Sequence, residues 1–146
     1  EVLISAIVGW TVAQILKTLI DFGLNKSFTP ERLVGSGGMP SSHSAGVMGL
    51  STMVGILNGF DSTLFATALG FSLIIMYDAA GLRRAAGKTA ACLNKMMEDF
   101  YHHDLQSVGG KLKELLGHTP FEVVVGAIFG VVFAYLYHSF SLMAVP

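Results

Sequence analysis

Two histidines lie where an apolar segment begins, each next to a short run rich in glycine, serine or proline. His43 is part of GGMPSSHS (37–44), and His118 is part of GHTPFE (117–122). A helix start presents unpaired N–H groups and the positive end of the helix dipole, which together bind anions. Two helix starts that each carry an imidazole therefore predict a site for an oxyanion, and phosphate is the natural candidate.

Charged residues follow the other two apolar segments. Lys17 and Asp21 end the first segment, while Asp78, Arg83 and Arg84 end the third. An ionisable residue at membrane depth usually has a function, because placing it there is costly. These cations would extend the predicted anion site, although the two arginines are equally suited to anchoring a helix to lipid head groups.

Several of these residues also have a purely structural interpretation. Ser41 or Ser42 is suited to cap a helix, and Glu122 closes a capping box that begins three residues earlier. Lys17 and Asp21 are four residues apart and can pair on one helix face. The residues alone leave both interpretations open.

The elements that position these groups are strongly apolar. The chain has 146 residues, of which 52% are hydrophobic and 13% charged, and its net charge is −1 at pH 7. Average soluble domains carry roughly 25% charged residues. Residues 2–16, 33–60, 62–77 and 123–146 contain no Asp, Glu, Lys or Arg. This composition argues against an ordinary soluble enzyme, a nucleic-acid binder and a disordered chain.

Four apolar segments predict an all-α integral membrane bundle of about four transmembrane helices, since a backbone in lipid must satisfy its own hydrogen bonds. Their predicted bounds are 2–20, 42–57, 62–82 and 120–142. Residues 85–116 carry apolar side chains at helical spacing opposite charged ones, which predicts a cytoplasmic amphipathic helix at the membrane interface. We expect one membrane domain over the whole chain.

The cations are all expected on one side of the membrane. With four spans, the first and third segments end where the second and fourth begin, and the positive-inside rule makes that side cytoplasmic. The anion site is then cytoplasmic and both termini lie outside the cell membrane. The nine residues concerned are Lys17, Lys26, Arg32, Arg83, Arg84, Lys88, Lys95, Lys111 and Lys113.

Three motifs in order resemble the type 2 phosphatidic acid phosphatase superfamily, which includes the vanadium-dependent haloperoxidases. PSSH (40–43) is similar to its Pro-Ser-Gly-His motif, and His118-x-x-x-Glu122 to the His-x-x-x-Asp that ends its third motif. Together with YDAAGLRRAAG (77–87), they make the chain look most like the small divergent branch labelled acid phosphatase/vanadium-dependent haloperoxidase-related membrane proteins.

The resemblance implies a phosphohistidine mechanism that needs no metal or cofactor. His118 would be the nucleophile, Glu122 would hold its other ring nitrogen, and His43 would act as general acid and then as general base. The expected phosphate ligands are Lys17, Ser41, Ser42, Arg83 and Arg84, with Asp78, Asp21 and Lys88 as possible supporting residues.

The sequence also departs from the superfamily pattern. Leu112 stands six residues before His118, where the third motif has arginine, and the first motif, Lys-x6-Arg-Pro, is absent. Four spans instead of the usual six predict a thin bundle, which a homodimer would complete. Small residues permit the close helix contacts that such a dimer needs; the candidates are Gly46, Gly49, Gly126 and Gly130.

We therefore expect a lipid phosphatase whose substrate is a phosphomonoester or diphosphate, such as phosphatidylglycerophosphate, phosphatidate or a polyprenyl diphosphate. Vanadate is expected as an inhibitor or phosphate analogue, and no nucleic acid as a partner. The alternatives are a non-catalytic phosphate- or lipid-binding or transport protein, a vanadate-dependent haloperoxidase-like enzyme and a metal-dependent hydrolase. His102-His103-Asp104 lacks further ligands, so no metal is expected there.

Overall fold

The computed structural model describes residues 1–25, 38–101, 112 and 117–144, with the backbone alone at 24–25, 82–84, 100–101 and 144. These residues form helices joined by turns and contain no strand, so the predicted all-α fold is confirmed. The helices are α1 (Val2–Asn25), α2 (Ser42–Asn58), α3 (Thr63–Ala80), α4 (Leu82–Tyr101) and α5 (Pro120–Ala144).

Three helical stretches of the described chain are long and apolar enough to cross a membrane. They are Val2–Gly23, Thr63–Asp99 and Pro120–Met143, of which the second runs from α3 into α4. The predicted span at 42–57 forms as α2, but this helix has only 17 residues. At about 1.5 Å per residue, this helix is shorter than the roughly 30 Å hydrocarbon core of a bilayer.

α2 lies at the centre of the bundle. It packs against α1, α3 and α5, whereas α1 and α3 do not contact each other within the described residues. Small side chains allow helices to approach closely, and they dominate the buried positions of α2. Those positions are Ser42, Ser44, Ala45, Gly49, Ser51, Thr52, Met53 and Gly55.

The closest approach in the bundle joins α2 to α5. A Cβ atom on Gly126 would collide with the backbone oxygen of Ser41, and a Cβ atom on Gly130 would collide with that of Ala45. Glycine is therefore required at both positions of α5, because the backbone of α2 occupies the space that any side chain would need.

The small residues predicted to support a homodimer are used inside the chain. A Cβ atom on Gly49 would lie 3.4 Å from the backbone oxygen of Gly130, and one on Gly46 would lie 3.3 Å from Cβ of Trp10 in α1. These glycines explain contacts of α2 with α5 and α1, so they no longer argue for a dimer, which stays a prediction.

α3 and α4 lie on one side of the bundle, and α3 connects them to α2. The hydroxyl of Ser72 in α3 donates a hydrogen bond to the backbone oxygen of Val47 in α2, at 2.9 Å. The helix breaks at Gly81, and α4 then packs against α3 alone among the described helices. The interfacial segment predicted at 85–116 is helical up to Tyr101; beyond that residue the structure describes only position 112 of it.

Candidate active site

Helix ends from different parts of the sequence meet at one end of the bundle. The N–H of Ser41 donates to the backbone oxygen of Glu122 at 3.1 Å, which joins the starts of α2 and α5. The N–H of His118 donates to the backbone oxygen of Ala79 at 3.2 Å, which adds the last turn of α3. The structure thus brings together the helix ends that the charge pattern places on one side.

Glu122 holds both the start of α5 and the imidazole of His118. Its Oε2 lies 3.1 Å from Nδ1 of His118 and also accepts the N–H of Thr119 at 3.1 Å. In return, Oγ1 of Thr119 accepts the N–H of Glu122 at 3.3 Å, which completes a capping box. The two interpretations of Glu122 are therefore compatible: the helix start fixes the carboxylate, and the carboxylate orients the histidine.

The carboxylate of Glu122 determines which ring nitrogen of His118 carries the proton. A carboxylate only accepts hydrogen bonds, so Nδ1 carries the proton and the lone pair resides on Nε2. His118 is 1% exposed. Burial lowers the pKa of His118 below its ordinary value of 6.5; Glu122 and the backbone of Gly38 oppose this shift, and the charge of Lys17 adds to it. The imidazole is thus kept neutral.

The second histidine lies beside the first. The ring of His43, in the first turn of α2, has its centroid 6.0 Å from that of His118, with an angle of 67° between the ring planes. The two residues are far apart in the sequence and are brought together by the contact between α2 and α5. Their separation suits a nucleophile and a general acid that act on the same small group.

Ser41 is the residue that caps α2. Its hydroxyl accepts the N–H of Ser44 at 3.4 Å and the hydroxyl of Ser44 at 3.0 Å. Both serines are fully buried, and Ser42 between them is 2% exposed. A serine hydroxyl both donates and accepts, so Ser41 has the chemistry to donate a proton to a ligand oxygen.

Lys17 adds a buried positive charge on α1, about two turns before the helix ends at Asn25. It is 4% exposed. A Cβ atom on Gly38 would lie 3.2 Å from both Cγ and Cδ of Lys17, and Gly38 has a φ of +89°. The glycine thus permits a left-handed turn before α2 and makes room for the lysine stem. Sequence reasoning did not assign this role to Gly38.

The remaining predicted residues lie on α1, α3 and α4. Asp21 and Asp78 are half-buried near the ends of α1 and α3, and Lys88 is exposed on α4. The side chains of Arg83 and Arg84 lie outside the described part of the chain, as do His102, His103 and Asp104. The described residues contain no group of three His, Cys, Asp or Glu that could hold a metal ion.

Comparison with known proteins places nearly the whole chain in one family. The family model described as the Divergent PAP2 family matches residues 1–133. The "Uncharacterized membrane protein YuiD" of Bacillus subtilis (strain 168) is 40% identical over 139 residues, which cover 88% of this chain and 88% of that protein. No solved structure matches the chain. Every predicted site residue falls within the matched family region.

Proposed function

The chain belongs to the Divergent PAP2 family, and we propose that it is a membrane phosphatase that hydrolyses a lipid phosphomonoester or diphosphate through a phosphohistidine. One observation carries the proposal: the buried His118 is held at Nδ1 by Glu122 and lies beside His43. This combination supplies an oriented nucleophile and a neighbouring proton donor.

The first proposed step transfers the phosphoryl group to the enzyme. The lone pair on Nε2 of His118 forms a bond to phosphorus, while the bond from phosphorus to the leaving oxygen breaks. His43 in its protonated form donates its proton to that oxygen. The products of this step are the dephosphorylated lipid and phosphohistidine, and His43 is left neutral.

The second proposed step returns the enzyme to its initial state. Neutral His43 removes a proton from a water molecule, whose oxygen forms a bond to phosphorus as the bond from phosphorus to Nε2 breaks. Inorganic phosphate leaves, and His118 regains its lone pair. Glu122 stabilises the positive charge that the ring of His118 carries in the intermediate.

Groups at the helix ends are placed to stabilise the phosphoryl oxygens. The start of α2 offers a positive dipole end, Lys17 offers a full charge, and the hydroxyl of Ser41 offers a proton. Lys17 and Ser41 are both buried, so their electrostatic interactions are stronger than they would be in water. Donors fixed before the reaction need no reorganisation during it.

Apolar side chains around this end of the bundle favour a lipid substrate. On α5, Phe121 is 68% exposed and Val124 is 52% exposed; on α1, Leu19 is 62% exposed and Phe22 is 53% exposed. Such residues suit contact with acyl or prenyl chains next to a phosphate site. Phosphatidylglycerophosphate, phosphatidate and polyprenyl diphosphates are the proposed substrates, reached from the cytoplasmic leaflet.

The proposal is tested by incubating the purified full-length protein with these lipid phosphates and measuring phosphate release and an acid-labile phosphoenzyme. We expect H118A to lower release by at least about 10³-fold, because the nucleophile is lost. H118N, which can retain a hydrogen bond to Glu122, is expected to be equally inactive. H138A is the matched control, since His138 lies near the other end of α5, and it should retain activity.

The outcomes also separate the alternative functions. Binding of lipid phosphates without turnover would favour the phosphate-binding or transport protein, to which Leu112 in place of an arginine lends some support. Halide- and peroxide-dependent turnover with vanadate would favour the haloperoxidase-like enzyme, whereas we expect vanadate to inhibit phosphate release. Loss of activity in EDTA would favour a metal-dependent hydrolase.

The proposed orientation has its own test in the chain's one cysteine. Cys92 is exposed on α4, on the side proposed to be cytoplasmic. A membrane-impermeant maleimide should label Cys92 in inverted vesicles and leave it unlabelled in intact cells. A cysteine introduced at the exposed Ser139 of a C92S protein should show the opposite pattern, and labelling of Cys92 from outside would overturn the orientation.

A further inference from the structure

A buried asparagine of α4 holds the chain ahead of His118. Asn94 is 5% exposed. Its Nδ2 donates to the backbone oxygen of Leu112 at 2.9 Å, and its Oδ1 accepts the N–H of Leu112 at 2.8 Å. The side-chain amide of Asn94 thus pairs with both the C=O and the N–H of Leu112, which fixes the position and the direction of the backbone at Leu112.

His118 is held separately, by the end of α3. The N–H of His118 donates to the backbone oxygen of Ala79 at 3.2 Å, and Ala79 is 2% exposed at the end of α3. α3 passes directly into α4 at Gly81, whose N–H donates to the backbone oxygen of Tyr77 at 2.9 Å. Two consecutive helices therefore hold positions 112 and 118.

The burial of Asn94 is unusual for its helix. Within the described side chains of α4, only Gly87 and Asn94 are buried. A buried amide is costly unless its polar atoms are hydrogen-bonded. Leu112 satisfies Nδ2 and Oδ1 of Asn94, although its own side chain is 45% exposed. The backbone of Leu112, rather than its side chain, is what the asparagine contacts.

We infer that Asn94 is a positioning residue for His118, acting through the backbone of Leu112. The kinetic part of this inference rests on the proposed phosphatase function. A displacement of about 1 Å at a reacting group can cost about 10²-fold in rate. Loss of these two hydrogen bonds should therefore lower kcat, while KM is maintained by Lys17 in α1 and Ser41 at the start of α2.

Kinetics of the full-length protein test this inference in two variants. N94A removes both hydrogen bonds, and N94D replaces one of them by repulsion between two oxygens. We expect each to lower kcat by about 10- to 100-fold with KM within about twofold of wild type. T89A is the matched control, since Thr89 is exposed on α4 and bonds only within its helix, to Ala85 at 3.1 Å. Wild-type kcat in both Asn94 variants would overturn the inference.

Hydrogen exchange tests the clamp, meaning the two hydrogen bonds between Asn94 and Leu112, without any turnover. In N94A, the amide of Leu112, which donates to Asn94 in the wild type, should exchange faster, while those of α2 stay as protected as in wild type. Faster exchange throughout the chain, or unchanged exchange at Leu112, would overturn the inference. If the wild-type protein hydrolyses no lipid phosphate, the proposed function fails. The exchange result then still decides whether Asn94 holds the backbone of Leu112. If hydrolysis depends on His118 and the clamp fails, the proposed function stands.

Discussion

Ser41 and Ser62 begin two neighbouring helices with the same local chemistry. Oγ of Ser41 accepts the N–H of Ser44 at 3.4 Å, and Oγ of Ser62 accepts the N–H of Phe65 at 3.1 Å. Ser62 also donates to the backbone oxygen of Gly59 at 2.7 Å, within its own turn. Ser62 thus serves only the local connection between α2 and α3.

The surroundings of Ser41 are different in kind. Its backbone N–H is bonded to Glu122, and its backbone oxygen lies against Gly126, so its helix start is joined to another helix. Ser41 is fully buried, whereas Ser62 is half-buried. An N-cap serine thus becomes a candidate ligand only where several helix ends converge and exclude water from its hydroxyl.

Removal of the two hydroxyl groups makes this comparison measurable. S41A should lower the rate of phosphate release by about 10²-fold, because a donor to the phosphoryl group is lost. S62A should leave the rate unchanged and cost about 1 kcal/mol of stability, as expected for an N-cap. Activities and thermal unfolding in the same detergent check both. Equal losses of activity in S41A and S62A would show that both serines act only as caps.

Glycine substitutions test whether the stability of the protein depends on the contact between α2 and α5. G126A should destabilise the protein by about 1–3 kcal/mol, the usual cost of overpacking, because its Cβ would overlap the backbone of Ser41. G70A is the control, since a Cβ at Gly70 meets nothing within 4 Å. Thermal unfolding should show no loss of stability in G70A. A G126A protein as stable as wild type would refute the close contact.

The smallest expected effect is a shift in the titration of His118. The pKa of His118 lies below its ordinary value, so the folded protein keeps the ring neutral as the pH falls past 6.5. The unfolded chain binds the proton first, and the protein therefore loses stability on acidification. K17M should raise this pKa by removing a nearby positive charge, and E122Q should lower it. NMR titration of the imidazole checks both directions, and shifts of the opposite sign would contradict the described geometry.

Much of the site could be predicted because its signals are local. Proline, threonine and glutamate at fixed offsets specify the start of α5 beside His118, and serines before an apolar run specify the start of α2. The positions of His43 and Glu122 follow from these two helix starts. The hydrogen bond from Nδ1 of His118 to Glu122 required only that Glu122 lie in the first turn of α5 and His118 just before that helix.

Other features could not be predicted because they depend on which helices become neighbours. Glycines at 126 and 130 indicate a close approach, but the pattern does not say whether the partner is another chain or α2. The clamp from Asn94 to Leu112 joins residues 18 positions apart, without any periodic signal. The contact of Gly38 with Lys17 likewise became visible only when the end of α1 met the start of α2.

The contact between α2 and α5 has a consequence for motion. Because the backbones of α2 and α5 approach so closely at Gly126 and Gly130, we expect these two helices, which position His43 and His118, to move together. The contact of α1 with α2 at Gly46 is made largely through the side chain of Trp10, so we expect an opening for substrate or product beside α1. We expect a disulfide between α2 and α5 to leave turnover unchanged and one between α1 and α2 to slow it.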